Sequence, residues 1–391
     1  MSFLARVYGF KFFDAFILIF PLYAVMFVDA GLTPVQISVA LTAWSATAFV
    51  LEIPAGVVAD RLPRRLVLAV AQAGRAAGFV VWLFYPHFWG FLVGLVLWGV
   101  KSAFTSGTFE ALLFDELKAE GRAGDYVRVV GRARAAQAAA VLCASFCAAV
   151  VARFGYPVAL AASLASIAAA MAFALSLPHP PRALAVEGRG YLTHLGRGLA
   201  EAARQPTVLG IIVFGALIMA LGGSLEEFWP IFGAKVGLAR PLIAVFVGVQ
   251  YGGEAVASLA AHRLAALGRR WFYSLLIVAG GLLTAAAAMF TPAAMALLAI
   301  YSALLKLTDV VFEARLQHAV ASENRATIGS VKGFAAQVGV IGLYLSFGPA
   351  AQFSSYRLAF LGCGGVVMAI GAAYLAAATL ASGKMRRKFS A

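Results

Sequence analysis

Long apolar stretches follow one another along the whole chain, each close to the ~21 residues that cross the hydrocarbon core of a bilayer. With polar, Pro and Gly residues as punctuation, they fall at 6–28, 36–59, 66–85, 88–112, 132–152, 157–177, 207–231, 241–261, 271–290, 293–316, 327–347 and 356–381. Twelve spans take up most of the 391 residues and leave only loops and tails. Charged residues are 12% of the chain against 62% apolar, about half the charged share of an ordinary soluble domain. A water-soluble globule is excluded, and so is a separate soluble catalytic or nucleic-acid-binding domain. The predicted class is all-α integral membrane.

An even number of spans puts both termini on one side, and the formal charge of +14 shows which. Of the 31 Lys and Arg residues, 24 fall at the ends and loops on the side of the termini; only Arg153, Lys235, Arg240 and Arg357 fall opposite. Arg75, Lys101 and Lys306 lie inside spans. The positive-inside rule therefore places both termini in the cytoplasm of a cell with its multi-pass protein in the inner or plasma membrane. The excess charge is a topology signal and an attraction to anionic lipid, so no nucleic acid partner is expected. The first span carries Asp14 and lacks a small-residue cleavage site, which makes it a retained helix. Cys143, Cys147 and Cys363 form no metal-binding pattern and read as buried apolar side chains.

Self-similarity divides the chain. Glu52 stands eight residues before Asp60-Arg61 in span 2, and Glu254 stands eight before His262-Arg263 in span 8, an offset of 202. Phe109-Glu110-Ala111 of span 4 matches Phe312-Glu313-Ala314 of span 10, and Ala135-Ala136-Gln137 of span 5 matches Ala335-Ala336-Gln337 of span 11. Residues 1–177 and 207–391 are thus two six-helix halves of common parentage. Residues 178–206 read as a cytoplasmic linker, with Leu192, Leu195 and Leu199 on one face of a short amphipathic helix.

The inner end of span 2 reads Gly56-Val-Val-Ala-Asp60-Arg61-Leu62-Pro63-Arg64-Arg65. This resembles the GxxxDRxGRR loop signature of the major facilitator superfamily, with Pro63 in place of the usual Gly. The resemblance covers nearly the whole chain and implies two pseudo-symmetric six-helix bundles that alternate access to a central site. It implies that Gly56 allows close helix approach and that Asp60, Arg61, Arg64 and Arg65 form a cytoplasmic gate. Asp60 is then expected near the start of span 11, and Arg64 or Arg65 near Glu110 or Asp115. In the second half His262 replaces the Asp and His318 matches Asp115, which implies a weaker or pH-sensitive latch. The Gly-Pro signature that many drug/proton antiporters carry in span 5 is missing, and Lys101 holds the basic position of span 4.

Ionised groups inside a bilayer are costly, about 2.5–3.5 kcal/mol each on insertion scales, so they mark pairs or watery cavities. Asp14 and Lys11 share a face of span 1, as an ion pair or as proton and substrate ligands. Glu52 and Glu254 lie at equivalent depths, about 12 Å from the inner ends of their helices at 1.5 Å per residue. Both are coupling candidates, with structural pairing as the alternative, and Asp309 and Glu313 join them. Lys306, Asp309 and Glu313 share one face of span 10, where Lys306 either attracts an anion or neutralises Asp309. Lys101 shares a face with Thr105 and Thr108, whereas Glu110 points away as a latch partner. Arg75 is expected to pair with Asp14 or Glu52, and Glu226 and Glu227 to edge the outer mouth.

No phosphate-binding loop, zinc motif or nucleophile elbow occurs. The expected protein is no enzyme and needs no cofactor or metal; protons drive it. It is a monomeric secondary transporter of a small organic solute, with export of amphiphilic compounds favoured. Movement of an anionic metabolite or siderophore-like chelate is the alternative, and a lipid scramblase or non-transporting sensor is the alternative from another class.

Overall fold

The computed structural model describes residues 2–178, 206–319 and 325–389. Eleven of its helical segments are long and apolar enough to cross a membrane. The twelfth apolar stretch, the first in the chain, is not one helix. It is divided into α1 (Phe3–Ala15) and α2 (Tyr23–Asp29). Pro21 lies between them: it has no N–H to donate, its ring clashes with the carbonyl four residues back, and it disfavours helical geometry at Phe20. A single unbroken helix over the first span is corrected accordingly.

The remaining helices of the first half are α3 (Pro34–Arg61), α4 (Arg64–Phe84), α5 (Phe88–Thr105), α6 (Thr108–Ala119), α7 (Tyr126–Val151) and α8 (Tyr156–Ser176). Local chemistry sets their ends. Ser2 caps α1, and Thr33 and Gln36 form a reciprocal capping box on α3 with Pro34 in the first turn. Span 4 is interrupted at Ser106-Gly107, where Gly107 takes φ 71° and starts α6 on a new axis. The second half holds α9 (Pro206–Gly222), a 3-10 turn (Leu225–Phe228), α10 (Trp229–Lys235), α11 (Arg240–Leu264), α12 (Arg269–Met289), α13 (Met295–Ala319), α14 (Arg325–Phe353) and α15 (Tyr356–Phe389). Span 7 is therefore broken too, at Gly222-Gly223 and just before Pro230.

The chain forms two compact units: Met1–His194 with Ala239–Gly248, and Leu195–Leu238 with Val249–Ala391. Each repeats the same neighbour pattern. In the first, α1 packs on α7, α4 on α8 and α4 on α5; in the second, α9 packs on α14, α12 on α15 and α12 on α13. Glycines permit the closest approaches: a Cβ on Gly78 would lie 3.0 Å from Gly94 Cα, and one on Gly280 would lie 2.7 Å from Met368 N. Among the described residues a Cβ on Gly56 would meet nothing within 4 Å. Cys143 and Cys147 are exposed on α7 and Cys363 is half-buried, so the reading of three buried thiols is corrected. The proposed amphipathic linker helix lies outside the described residues.

Candidate functional site

Broken helices leave backbone groups without intrahelical partners, and in a bilayer these must find other ones. In the first unit the Ile19 N–H donates to Ser163 Oγ at 3.0 Å, Ser166 Oγ donates to the Phe13 carbonyl at 2.9 Å, and Arg75 Nη1 donates to the Asp14 carbonyl at 3.0 Å. Helices α8 and α4 thus hold the break open. In the second unit the Tyr301 hydroxyl donates to the Leu221 carbonyl at 2.9 Å, and Trp229 Nε1 donates to Ser302 Oγ at 3.2 Å. Both interruptions bring carboxyl groups with them.

At the first, Asp14 is 7% exposed and Oδ1 receives three donors: Gln72 Nε2 at 2.7 Å, Arg75 Nη2 at 3.1 Å and Lys101 Nζ at 2.6 Å. Arg75 is itself braced by the Gln72 side-chain oxygen at 2.6 Å. Arg75 and Lys101 are 2% and 8% exposed, so two cations and one carboxylate share the interior of this unit. Lys11 does not pair with Asp14. It lies 3.9 Å from Glu110 and 4.0 Å from the centre of the Phe109 ring, because Asp14 turns toward α4 and α5. Glu110 is accordingly no partner of the gate arginines. Thr105 and Thr108 are both buried, and the turn at Gly107 puts Thr108 on α6 rather than on the helix of Lys101.

At the second, the Glu226 and Glu254 side chains stand within hydrogen-bonding reach of each other. Gln250 Nε2 donates to Glu254 Oε1 at 3.0 Å, and Ser302 hydrogen-bonds Glu226. Glu254 is 9% exposed and Glu226 half-buried. Two carboxyls can bond directly only when one supplies an O–H. Glu226 is therefore part of a polar group with Glu254, Gln250 and Ser302 beside the break in span 7. The counterpart Glu52 is exposed on α3 and has no ion-pair or hydrogen-bond partner among the described residues. Equal depth along a helix is not equal burial, because the face decides.

On α13, Lys306 lies 3.9 Å from Asp309, and Lys332 of α14 reaches Asp309 at 3.9 Å and hydrogen-bonds Glu313. The polar stripe of span 10 is thus tied to span 11 by a lysine. At the basic end of the first unit, Arg64 hydrogen-bonds Asp115 and lies 3.8 Å from Asp60. Arg61 is exposed and Arg65 half-buried, and neither makes an ion pair among the described residues. In the second unit the His262 ring lies 2.6 Å from the Leu259 carbonyl of its own helix and makes no ion pair among the described residues. Arg315 holds the following loop instead, donating to the carbonyls of Ala265 at 3.3 Å and Leu267 at 2.5 Å, while the side chain of His318 lies outside the described residues.

Sequence comparison now identifies the architecture, since the profile of the Major Facilitator Superfamily matches residues 5–249. The chain belongs to the Major Facilitator Superfamily. Curated proteins give no sequence match. Among solved structures of this superfamily's fold, the nucleoside transporter NupG is 17% identical, with 96% of this chain and 99% of that chain covered and a TM-score of 0.79. An inward-facing bacterial homolog of the human lysosomal transporter Spinster is 15% identical, with 95% of both chains covered and a TM-score of 0.70. A D-xylose-proton symporter is 12% identical over 94% of this chain and 95% of that one, with a TM-score of 0.68. These likenesses share the fold. The chain is a multi-pass membrane transporter, which the superfamily and the eleven long apolar helices together establish.

Proposed function

We propose that this transporter couples the export of an amphiphilic organic solute to proton movement, and that the Glu226–Glu254 pair carries the proton. The contact between those two carboxyls supports the reading, because it has room for one proton and loses its bond when the proton leaves. The other interior acids are engaged with cations: Asp14 with Arg75 and Lys101, Asp309 and Glu313 with Lys332. A carboxylate already neutralised by a base has less call on a proton. Basic ends support cytoplasmic termini, and one chain holds both six-helix units, which supports a monomer in the inner or plasma membrane. Protons serve as the coupling ion without an organic cofactor.

Reconstitution in liposomes with an internal pH dye tests the reading. A panel of amphiphilic solutes should include one whose efflux drives protons in the opposite direction. Glu254→Gln and Glu226→Gln should each abolish proton movement and leave solute exchange across the membrane intact, while Glu52→Gln should change neither. Coupling that survives in both carboxyl variants removes the assignment, and proton movement in the same direction as the solute replaces export with symport.

A further inference from the structure

We propose that the solute carries an anionic head group, a carboxylate on a planar apolar body, and that Lys101 and Thr105 at the break in span 4 bind it. This deepens the transporter reading above and rests on it for the word solute, while binding itself is independent of transport. Four features of the first unit converge. Arg75 and Lys101 together bring two positive charges against the single carboxylate of Asp14, and all three are at least nine-tenths buried. A surplus charge in so apolar a place favours a counter-ion.

Lys101 has three N–H bonds and gives one to Asp14, so two remain for a ligand. Thr105 lies one turn further on the same face of α5, is 8% exposed, and its hydroxyl is buried without a partner. Just beyond it, α6 begins at Thr108 behind Gly107, with no side chain capping its first turn. Uncapped helix N–H groups add donors of the same sign. Glu110 in that turn is the opposing charge, and Lys11 accompanies it at 3.9 Å.

The apolar part follows from the same helix face. Trp98 lies three residues before Lys101, its ring 6.4 Å from that of Trp44 and 6.5 Å from that of Phe20. Trp44 Nε1 is buried and bonds nothing. Trp98 thus anchors an aromatic cluster with Trp44, Phe20 and Tyr23 one turn before Lys101, and an aryl carboxylate would set its ring against that cluster with the carboxylate on Lys101 and Thr105.

Benzoate, benzyl alcohol and benzylammonium have nearly the same shape and differ in charge, so titration of the purified full chain by tryptophan fluorescence separates charge from size. Benzoate should bind about tenfold or more tighter than the other two. Lys101→Met should weaken it by a similar factor, Lys101→Arg should restore part of the loss, and Thr105→Val should weaken it several-fold. Asp14 and Arg75 remain paired in Lys101→Met; if that variant does not fold, Thr105→Val and Lys101→Arg carry the test. Equal binding of the three probes, no benzoate binding at ~10 mM, or benzoate binding indifferent to Lys101 and Thr105 each overturns the proposal. Benzoate binding without any coupled flux leaves the site standing and removes the transporter reading. Coupled flux of an uncharged solute without benzoate binding does the reverse.

Discussion

The two units place their interior carboxyls at corresponding helix breaks and surround them with different chemistry. In the first, one aspartate is held by a glutamine, an arginine and a lysine on a single oxygen. In the second, two glutamates meet each other with an amide and a hydroxyl beside them. The two units share a backbone interruption and differ in the charges around it. One unit holds surplus positive charge and the other a pair of neighbouring carboxyls, so under the two proposals above binding falls to one unit and coupling to the other. The loops at the basic ends differ in the same way: Arg64 reaches an acid, Arg315 reaches carbonyl oxygens.

The sharpest way to break this contrast is to delete one carboxyl from each unit. Asp14→Leu leaves Arg75 and Lys101 buried without a counter-charge and should cost about 3–5 kcal/mol, seen as a large fall in the thermal unfolding midpoint in detergent. Glu254→Gln keeps a donor for Glu226 and should stay within about 1 kcal/mol of the parent in the same assay. Equal losses would show that the two sites do the same structural work.

Packing provides the next contrast. Gly280→Val puts methyl groups into the backbone of α15 and should cost about 1–3 kcal/mol, whereas Gly281→Ala, whose Cβ meets nothing within 4 Å, should be nearly neutral. Unfolding midpoints of the two variants check both.

Smaller effects sharpen the loop comparison. A double-mutant cycle on Arg64→Ala and Asp115→Ala should give a coupling of about 1 kcal/mol, reduced by solvent at the half-exposed Asp115. Lys306→Ala should be the mildest, about 0–1 kcal/mol, because its pair with Asp309 is long and open to solvent on the lysine side.

Much of this arrangement is legible in the residues. The apolar spans, the repeat and the Asp60–Arg65 segment lead to the fold, and the spacing of Lys306, Asp309 and Glu313 to a shared face. The breaks are not visible to hydropathy. Residues 16–22 read Phe-Ile-Leu-Ile-Phe-Pro-Leu, as apolar as any helix around them, so an average over the span hides Pro21. Partners across helices are hidden for another reason. Spacing along one helix joins Lys11 to Asp14, and Arg75, expected on Asp14 or Glu52, does take Asp14; Lys101 on another helix was not foreseen as its partner and finds it only in three dimensions.

The interruption of the first span also bears on the order of biosynthesis. Neither the 13 residues of α1 nor the 7 of α2 is long enough to cross a bilayer alone. They must enter the membrane as one apolar segment. The groups that settle the break arrive much later: Arg75 follows Asp14 by 61 residues and Ser163 follows Ile19 by 144. Until the sixth span has left the ribosome, the Ile19 amide lacks its native acceptor, so this segment cannot reach its final form before the rest of the first unit is made.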